Sequence, residues 1–405
     1  MKGRSSATTS ATFFTEEHIA ICEAVDGYLD HLGDRKEKML MELATNHYYP
    51  DELLEAMGEL GLYGALIPEE YGGSNVGLLS MALAMERFAA YGLENTLALL
   101  TTMDTLAIIA GGTQEQKREI LPKVATGNYH MAFAITEPGA GTNSFNMSLR
   151  AHKAEGGFRL RGEKAWITGI DRANRILVVA RTTSREEIKE KNLPKSFGLT
   201  LFLVDPKDPA LNKNKMNTAG IEGFSQFQLY FDDLFVPESD VVGEVDQGAR
   251  ILFMALNPER ILGASFSVGM CDYFISKAVD YSKERVVFGD RPIGSYQGVS
   301  HPLAKLRTTQ EAARLLFYEA AALYDKGAPP QRVGTLANMA KYLASETCFD
   351  AADRAIQTFG GSGFVEENLL IQFLAGARLS KTAPINNEMV LNFVAEHDLG
   401  LPRSY

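Results

Sequence analysis

AITEPGAG (134–141) and GEKAWITG (162–169) lie where the hydrophobic periodicity of this chain changes, and that change decides the fold class. From about Tyr129, short β-rich runs at 131–136, 158–168, 174–181, 197–204 and 226–231 replace helical patterns. In the last of them Phe227, Leu229 and Phe231 alternate with polar partners, as a half-buried strand requires. Upstream, from Thr15 to about Gly127, apolar residues recur at helical spacing, as at Leu53, Met57 and Leu60. PEEYGG (68–73) and GGT (111–113) interrupt that pattern as loops. Beyond Glu244 the helical period returns, punctuated by Gly289, Pro329-Pro330 and Gly360-Gly361. The expected fold class is α+β, mostly α. It comprises a mobile tail over 1–14, an N-terminal helical domain over 15–128, a middle β-domain over 129–243 and a C-terminal helical bundle over 244–405. The charged stretch REEIKEKNLPKS (185–196) is expected to be a solvated excursion.

A chain of 405 residues holds two or three domains and buries a large core. Its 45% apolar and 22% charged residues are ordinary globular values. No apolar run reaches 18 residues, so no membrane span is expected. A net charge of −11 repels nucleic-acid backbones and anionic lipid. Cys22, Cys271 and Cys348 show neither disulfide nor zinc spacing, which fits a reducing, cytoplasmic compartment without a bound metal. The first twelve residues are polar and lack the apolar core of a secretion signal.

Several segments carry candidate chemistry. Thr136–Gly141 is a turn whose glycines let a ligand approach backbone amides closely, or simply a loop. Trp166, the only tryptophan, reads alone as a core or interface anchor. QTFGGSGF (357–364) places glycines at a helix end, where free amides suit a pyrophosphate. On a helical wheel Leu252, Ala255, Leu256, Leu262, Gly263 and Phe266 surround Glu259. An acid on an apolar stripe is costly; it serves either as a base with a raised pKa or in a buried ion pair, with Arg260 as one partner.

Taken in order, AITEPGAG, GEKAWITG, ERVVFGDRPIGSYQ (284–297) and QTFGGSGF resemble the acyl-CoA dehydrogenase family, over about Phe14 to Tyr405. The resemblance implies an acyl-CoA dehydrogenase fold and an FAD cofactor. Thr136, Gly141 and Thr142 would lie against the flavin, with Trp166 shielding its edge and Thr168 near N5. It also implies that Arg285, Phe288, Gln297, Gln357, Gly360 and Gly361 bind the FAD of a neighbouring subunit in a homo-oligomer, a dimer of dimers. An acyl-CoA substrate, with Arg260 contributing to its binding, and an electron-transferring flavoprotein as oxidant complete the implied set.

One departure stands out. In LAGARLSKTAPINNEMVLNFVAEHDLG (374–400) the place of the commonest catalytic glutamate is Pro384, which has neither a carboxylate nor the N–H that the family directs at the substrate carbonyl. The family's Gly-Thr pair beside it is here Ile385-Asn386. Isovaleryl- and long-chain acyl-CoA dehydrogenases instead carry the base on an earlier helix in Leu-x-x-Glu-Arg, and this chain has LNPER (256–260) there. Glu259 is therefore the expected base, with Glu388 as the alternative. Two further readings stay open: a flavin monooxygenase on the same fold, and a non-catalytic subunit of a hetero-oligomer.

Overall fold

The computed structural model describes residues 14–46, 48–221 and 223–404. The tail expected over 1–14 lies outside these residues, except for Phe14, which packs edge-on against Tyr318 with ring centroids 5.2 Å apart.

The first helices are α1 (Glu16–His31), α2 (Arg35–Asn46), α3 (Asp51–Glu59), α4 (Leu78–Ala90), α5 (Thr96–Gly111) and α6 (Gln114–Ala125). Their starts follow from local chemistry. Thr113 accepts from the Gln116 amide while the Gln116 side chain accepts from the Thr113 amide, a reciprocal cap for α6. Helix α4 begins after Gly77, which has no side chain to cap with. Asp325, 247 residues beyond Leu78 in the chain, supplies the acceptor, taking the amides of Leu78 and Leu79 at 2.7 and 3.0 Å.

The middle of the chain forms β1 (Met131–Ala134), β2 (Arg150–Ala154), β3 (Gly157–Thr168), β4 (Arg175–Arg181), β5 (Leu199–Val204), β6 (Leu211–Met216), β7 (Gln226–Pro237) and β8 (Val241–Val242). The sheet runs β6-β7-β3-β2-β4-β5-β8, with β1 added parallel to β4. Helix α7 (Arg185–Glu190) occupies the charged excursion and is capped by Ser184. The polar strands β2 and β6 have no counterpart among the expected runs. β6 is an edge strand that exposes most of its side chains, so it lacks the apolar alternation that marks a strand in sequence.

The remainder is helical: α8 (Gly248–Glu284), α9 (Gln297–Asp325), α10 (Pro330–Phe359), α11 (Leu370–Leu379) and α12 (Asn387–His397). One core cluster joins the helices of both ends of the chain, and a second fills the interior of the β-structure. A buried polar network ties α4 to α9 and α8. Arg314 donates to Glu86 and Asp272, each at 2.6 Å, and Tyr318 donates to Glu86 at 2.8 Å. None of the described helices is long and apolar enough to cross a membrane.

Candidate active site

Two neighbouring loops at one end of the sheet are fixed by a buried ion pair. Lys164 is fully buried and its Nζ donates to Glu137 at 3.0 Å and to the Ile135 carbonyl at 2.8 Å. Glu137 also accepts from the amides of Ser148 and Leu149 and from the Ser148 hydroxyl. Burial alone would disfavour both charges. It pulls the Lys164 ammonium down to about 8, while Lys164 and the converging donors hold Glu137 below the usual carboxylate range. The pair clamps the Thr136–Gly141 turn to β3, and the Ala165 amide adds a 2.9 Å bond to the Thr136 carbonyl.

Strand β3 is irregular here, with its register to β7 shifting between Lys164 and Ile167. Trp166 lies in that shift with φ 61°, which turns its ring outward; it is 54% exposed. The isolated reading of Trp166 as a core anchor therefore fails within this chain. Thr168 donates to Gln226 Oε1 at 3.0 Å. A Cβ added to Gly139 or Gly141 would meet nothing within 4 Å, so the space beside the turn is open.

Glu259 lies on α8, one residue past Pro258, whose missing N–H leaves the Met254 carbonyl without its helical donor. It is 9% exposed, and burial pushes its carboxyl up to about 7 against the pull of the neighbouring Arg260 guanidinium. Arg260 donates instead to Asn257 Oδ1 at 3.2 Å, and Glu259 forms no salt bridge among the described residues. One turn further along α8, a Cβ on Gly263 would lie 3.5 Å from Pro384 Cδ. Pro384 thus packs on the same face of α8 that carries Glu259. Another turn on, Ser267 and Met270 line a cavity of about 40 Å³ with Gly376, Ala377 and Ser380. Leu43, Phe373 and Glu94 also line it, and burial raises the Glu94 carboxyl to about 7.

The loop that carries Pro384 is held from below. Lys341, almost fully buried, donates to the Ile385 carbonyl and to Asn387 Oδ1, both at 2.6 Å. Asn387 in turn donates to Glu346 at 2.7 Å. Asn386 caps α12 by accepting from the Met389 amide, and its Nδ2 reaches Thr142 Oγ1 at 2.9 Å. This bond ties the C-terminal loop to the glycine turn of the β-structure. Glu388, the alternative base, begins α12 and is exposed.

The remaining candidates gather elsewhere. Arg285, Phe288, Gln297, Gln357, Gly360 and Gly361 are all exposed, Phe288 by 82%. They surround the far ends of α8 and α10, which meet where Tyr281 stacks on Phe359 at 4.2 Å. A Cβ on Gly360 or Gly361 would meet nothing within 4 Å, and Gly360 has φ 59° and ψ −134°, a conformation that needs glycine. Arg285 caps the C-terminus of α8, 26 residues beyond Glu259 and so roughly 39 Å away at the α-helical rise. Within one chain these residues therefore lie far along α8 from Glu259.

Residues 15–128, 132–234 and 246–399 match in turn the N-terminal, middle and C-terminal domains of acyl-CoA dehydrogenase. The chain belongs to the acyl-CoA dehydrogenase family, whose members are flavoprotein oxidoreductases acting on acyl-CoA. It is similar to the acyl-CoA dehydrogenase fadE12 of Mycobacterium tuberculosis, with 39% identity over 98% of this chain and 100% of that one. The mitochondrial isovaleryl-CoA dehydrogenase of Solanum tuberosum is 32% identical over 84% of this chain and 80% of its own length. The structure of butyryl-CoA dehydrogenase from Megasphaera elsdenii superposes with a TM-score of 0.87 at 28% identity, covering 96% of this chain and all of that one.

Proposed function

We propose that the chain dehydrogenates an acyl-CoA thioester between its α- and β-carbons, with Glu259 as the base that takes the α-proton. The observation that carries this is a buried carboxyl without a salt bridge, raised to about 7, on the face of α8 against which Pro384 packs. Proline at 384 removes one location for a base, and Glu259 supplies another one turn from Gly263 on the adjoining helix. The small cavity lined by Ser267, Met270 and Glu94 marks the direction assigned to the acyl tail.

The cofactor is FAD. The open space beside Gly139, Gly141, Gly360 and Gly361 and the outward-turned Trp166 fit a planar ring system with a phosphate-bearing tail. When bound, it supplies the acceptor for the β-hydrogen and its electron pair. Thr136, Gly141, Thr142, Trp166 and Thr168 would hold the ring in one chain. Arg285, Phe288, Gln297, Gln357, Gly360 and Gly361 would hold the cofactor of a neighbouring chain, because their own chain sets them too far from Glu259 to share one molecule with it. Arg260 would face the substrate, and an electron-transferring flavoprotein would be the partner that reoxidises the enzyme. A monooxygenase, or a non-catalytic subunit, is the function that Pro384 taken alone would suggest; the placement of Glu259 favours dehydrogenation over both.

Two outcomes follow. Glu259 must be ionised to accept a proton, so kcat/KM should fall about tenfold per pH unit below about 7 and level off above it. A profile flat from pH 5 to 8 would contradict the assignment. The division of the cofactor site between chains predicts complementation. Glu259→Gln and Arg285→Ala should each be nearly inactive alone. Co-expressed, they should regain activity in mixed oligomers, because the Arg285→Ala chain keeps its base and borrows the intact arginine of its neighbour. If Arg285 served its own chain, co-expression would restore nothing.

A further inference from the structure

Helix α5 reads TLALLTTMDTLAIIAG and carries a second acid in an apolar setting, Asp104. Its buried hydroxyls are all satisfied by backbone. Thr101 donates to the Met131 carbonyl, Thr102 to that of Ala98 and Thr105 to that of Thr101. Asp104 differs. It is 0% exposed, and neither carboxyl oxygen has a hydrogen-bond partner among the described residues. An unpartnered buried carboxyl is among the more costly groups a core can hold, and it calls for a function.

Its position supplies one. A Cβ on Gly111, at the end of α5, would lie 2.2 Å from Ile251 Cδ1 near the start of α8, so the two helices touch there. Asp104 lies two turns back along α5 from that contact, and Glu259 about two turns forward along α8. The helices run antiparallel and bring the two acids to the same level. Glu259 is close enough for its charge to act on the Asp104 carboxyl, and the Arg260 guanidinium acts on Glu259 in the opposite sense. Strand β1, which also packs on α5, is Met-Ala-Phe-Ala and has no titratable group. Lys341 on α10 is directed at the Ile385 carbonyl and Asn387 rather than at Asp104.

We infer that Asp104 is a positioning residue for Glu259: a carboxyl that keeps its proton and presents a donor to the Glu259 carboxylate through one bound water, so that Glu259 stays ionised and aimed at the substrate. Two buried acids facing each other do not both ionise, so one takes the charge and the other the proton. Burial and the charge on Glu259 both hold the Asp104 carboxyl well above its usual range, which leaves the charge on Glu259. No proton passes to or from Asp104 during turnover.

This inference rests on Glu259 being the base, and the pH profile of kcat/KM separates the two assignments. Asp104→Leu removes the donor while keeping the branched shape of the side chain and should move the acid limb up by a full pH unit or more. Asp104→Asn, which keeps an N–H donor, should return the limb to within a few tenths of a unit of the parent. Asp104→Leu should also melt at or above the parent temperature, since it replaces an unsatisfied polar group with an apolar one. Overlap of the Asp104→Leu and parent profiles would overturn the role of Asp104, as would a downward shift in Asp104→Asn, which would mean that Asp104 is ionised. Loss of the limb in Glu259→Gln assigns it to Glu259 whichever way the Asp104 variants behave, so failure of the positioning role is distinct from failure of the base.

Discussion

Glu259→Gln is expected to lower kcat by about 10²–10⁴-fold, the range that a positioned general base contributes, while leaving flavin content and substrate affinity close to those of the parent. Glutamine keeps the shape and one carbonyl oxygen of the acid and cannot accept the proton. The loss should appear equally in kcat and kcat/KM, because the missing interaction exists only in the transition state. The size of the effect depends on Pro384, since no carboxylate stands at that position to take over. Steady-state kinetics together with equilibrium binding of an unreactive acyl-CoA analogue would check it. A variant that keeps a tenth of the parent rate would remove Glu259 from the mechanism and turn attention to Glu388.

Lys164→Met is expected to be the most damaging substitution outside the reacting groups. It deletes one partner of a pair with no exposure on the lysine side and leaves Glu137 buried without its counter-ion. Breaking such a pair costs about 3–5 kcal/mol, a large share of the total stability of an ordinary domain, and a fall in Tm of roughly 10 °C would follow. Flavin retention should fall with it, because the pair and the Ala165–Thr136 backbone bond hold the glycine turn against β3. Replacing both partners, as Glu137→Leu with Lys164→Met, should recover only part of the loss. The Ser148 and Leu149 amides that Glu137 accepts would then lack an acceptor. Differential scanning calorimetry of the single and double variants, with flavin content measured on the same samples, distinguishes this from a purely local effect.

The sequence carried those features that depend on near neighbours. Alternation at Phe227, Leu229 and Phe231 marked β7, and the six apolar residues around Glu259 marked an acid with an unusual setting. Both signals are confined to one element. Where the pattern depended on a partner element it was silent: β2 and β6 are polar strands recognisable only from the strands beside them. Glu137 and Lys164 are 27 residues apart, and nothing local joins them. Asp104 carries the same signature as Glu259, an acid in an apolar helix, and that signal was there to be used. What sequence could not supply was the antiparallel contact of α5 and α8 that brings the two acids to the same level. The distance between the two groups of candidate cofactor residues, which the resemblance assigns to different subunits, likewise depends on α8 being one continuous helix of 37 residues.

The most direct test of the central claim is an anaerobic titration of the purified, flavin-bearing protein with saturated acyl-CoA thioesters of graded length and branching, following the visible flavin band. One class of thioester should bleach the band stoichiometrically in the parent and fail to do so in Glu259→Gln at equal occupancy. A parent protein that binds flavin and thioester, yet whose flavin no thioester reduces, would contradict that claim.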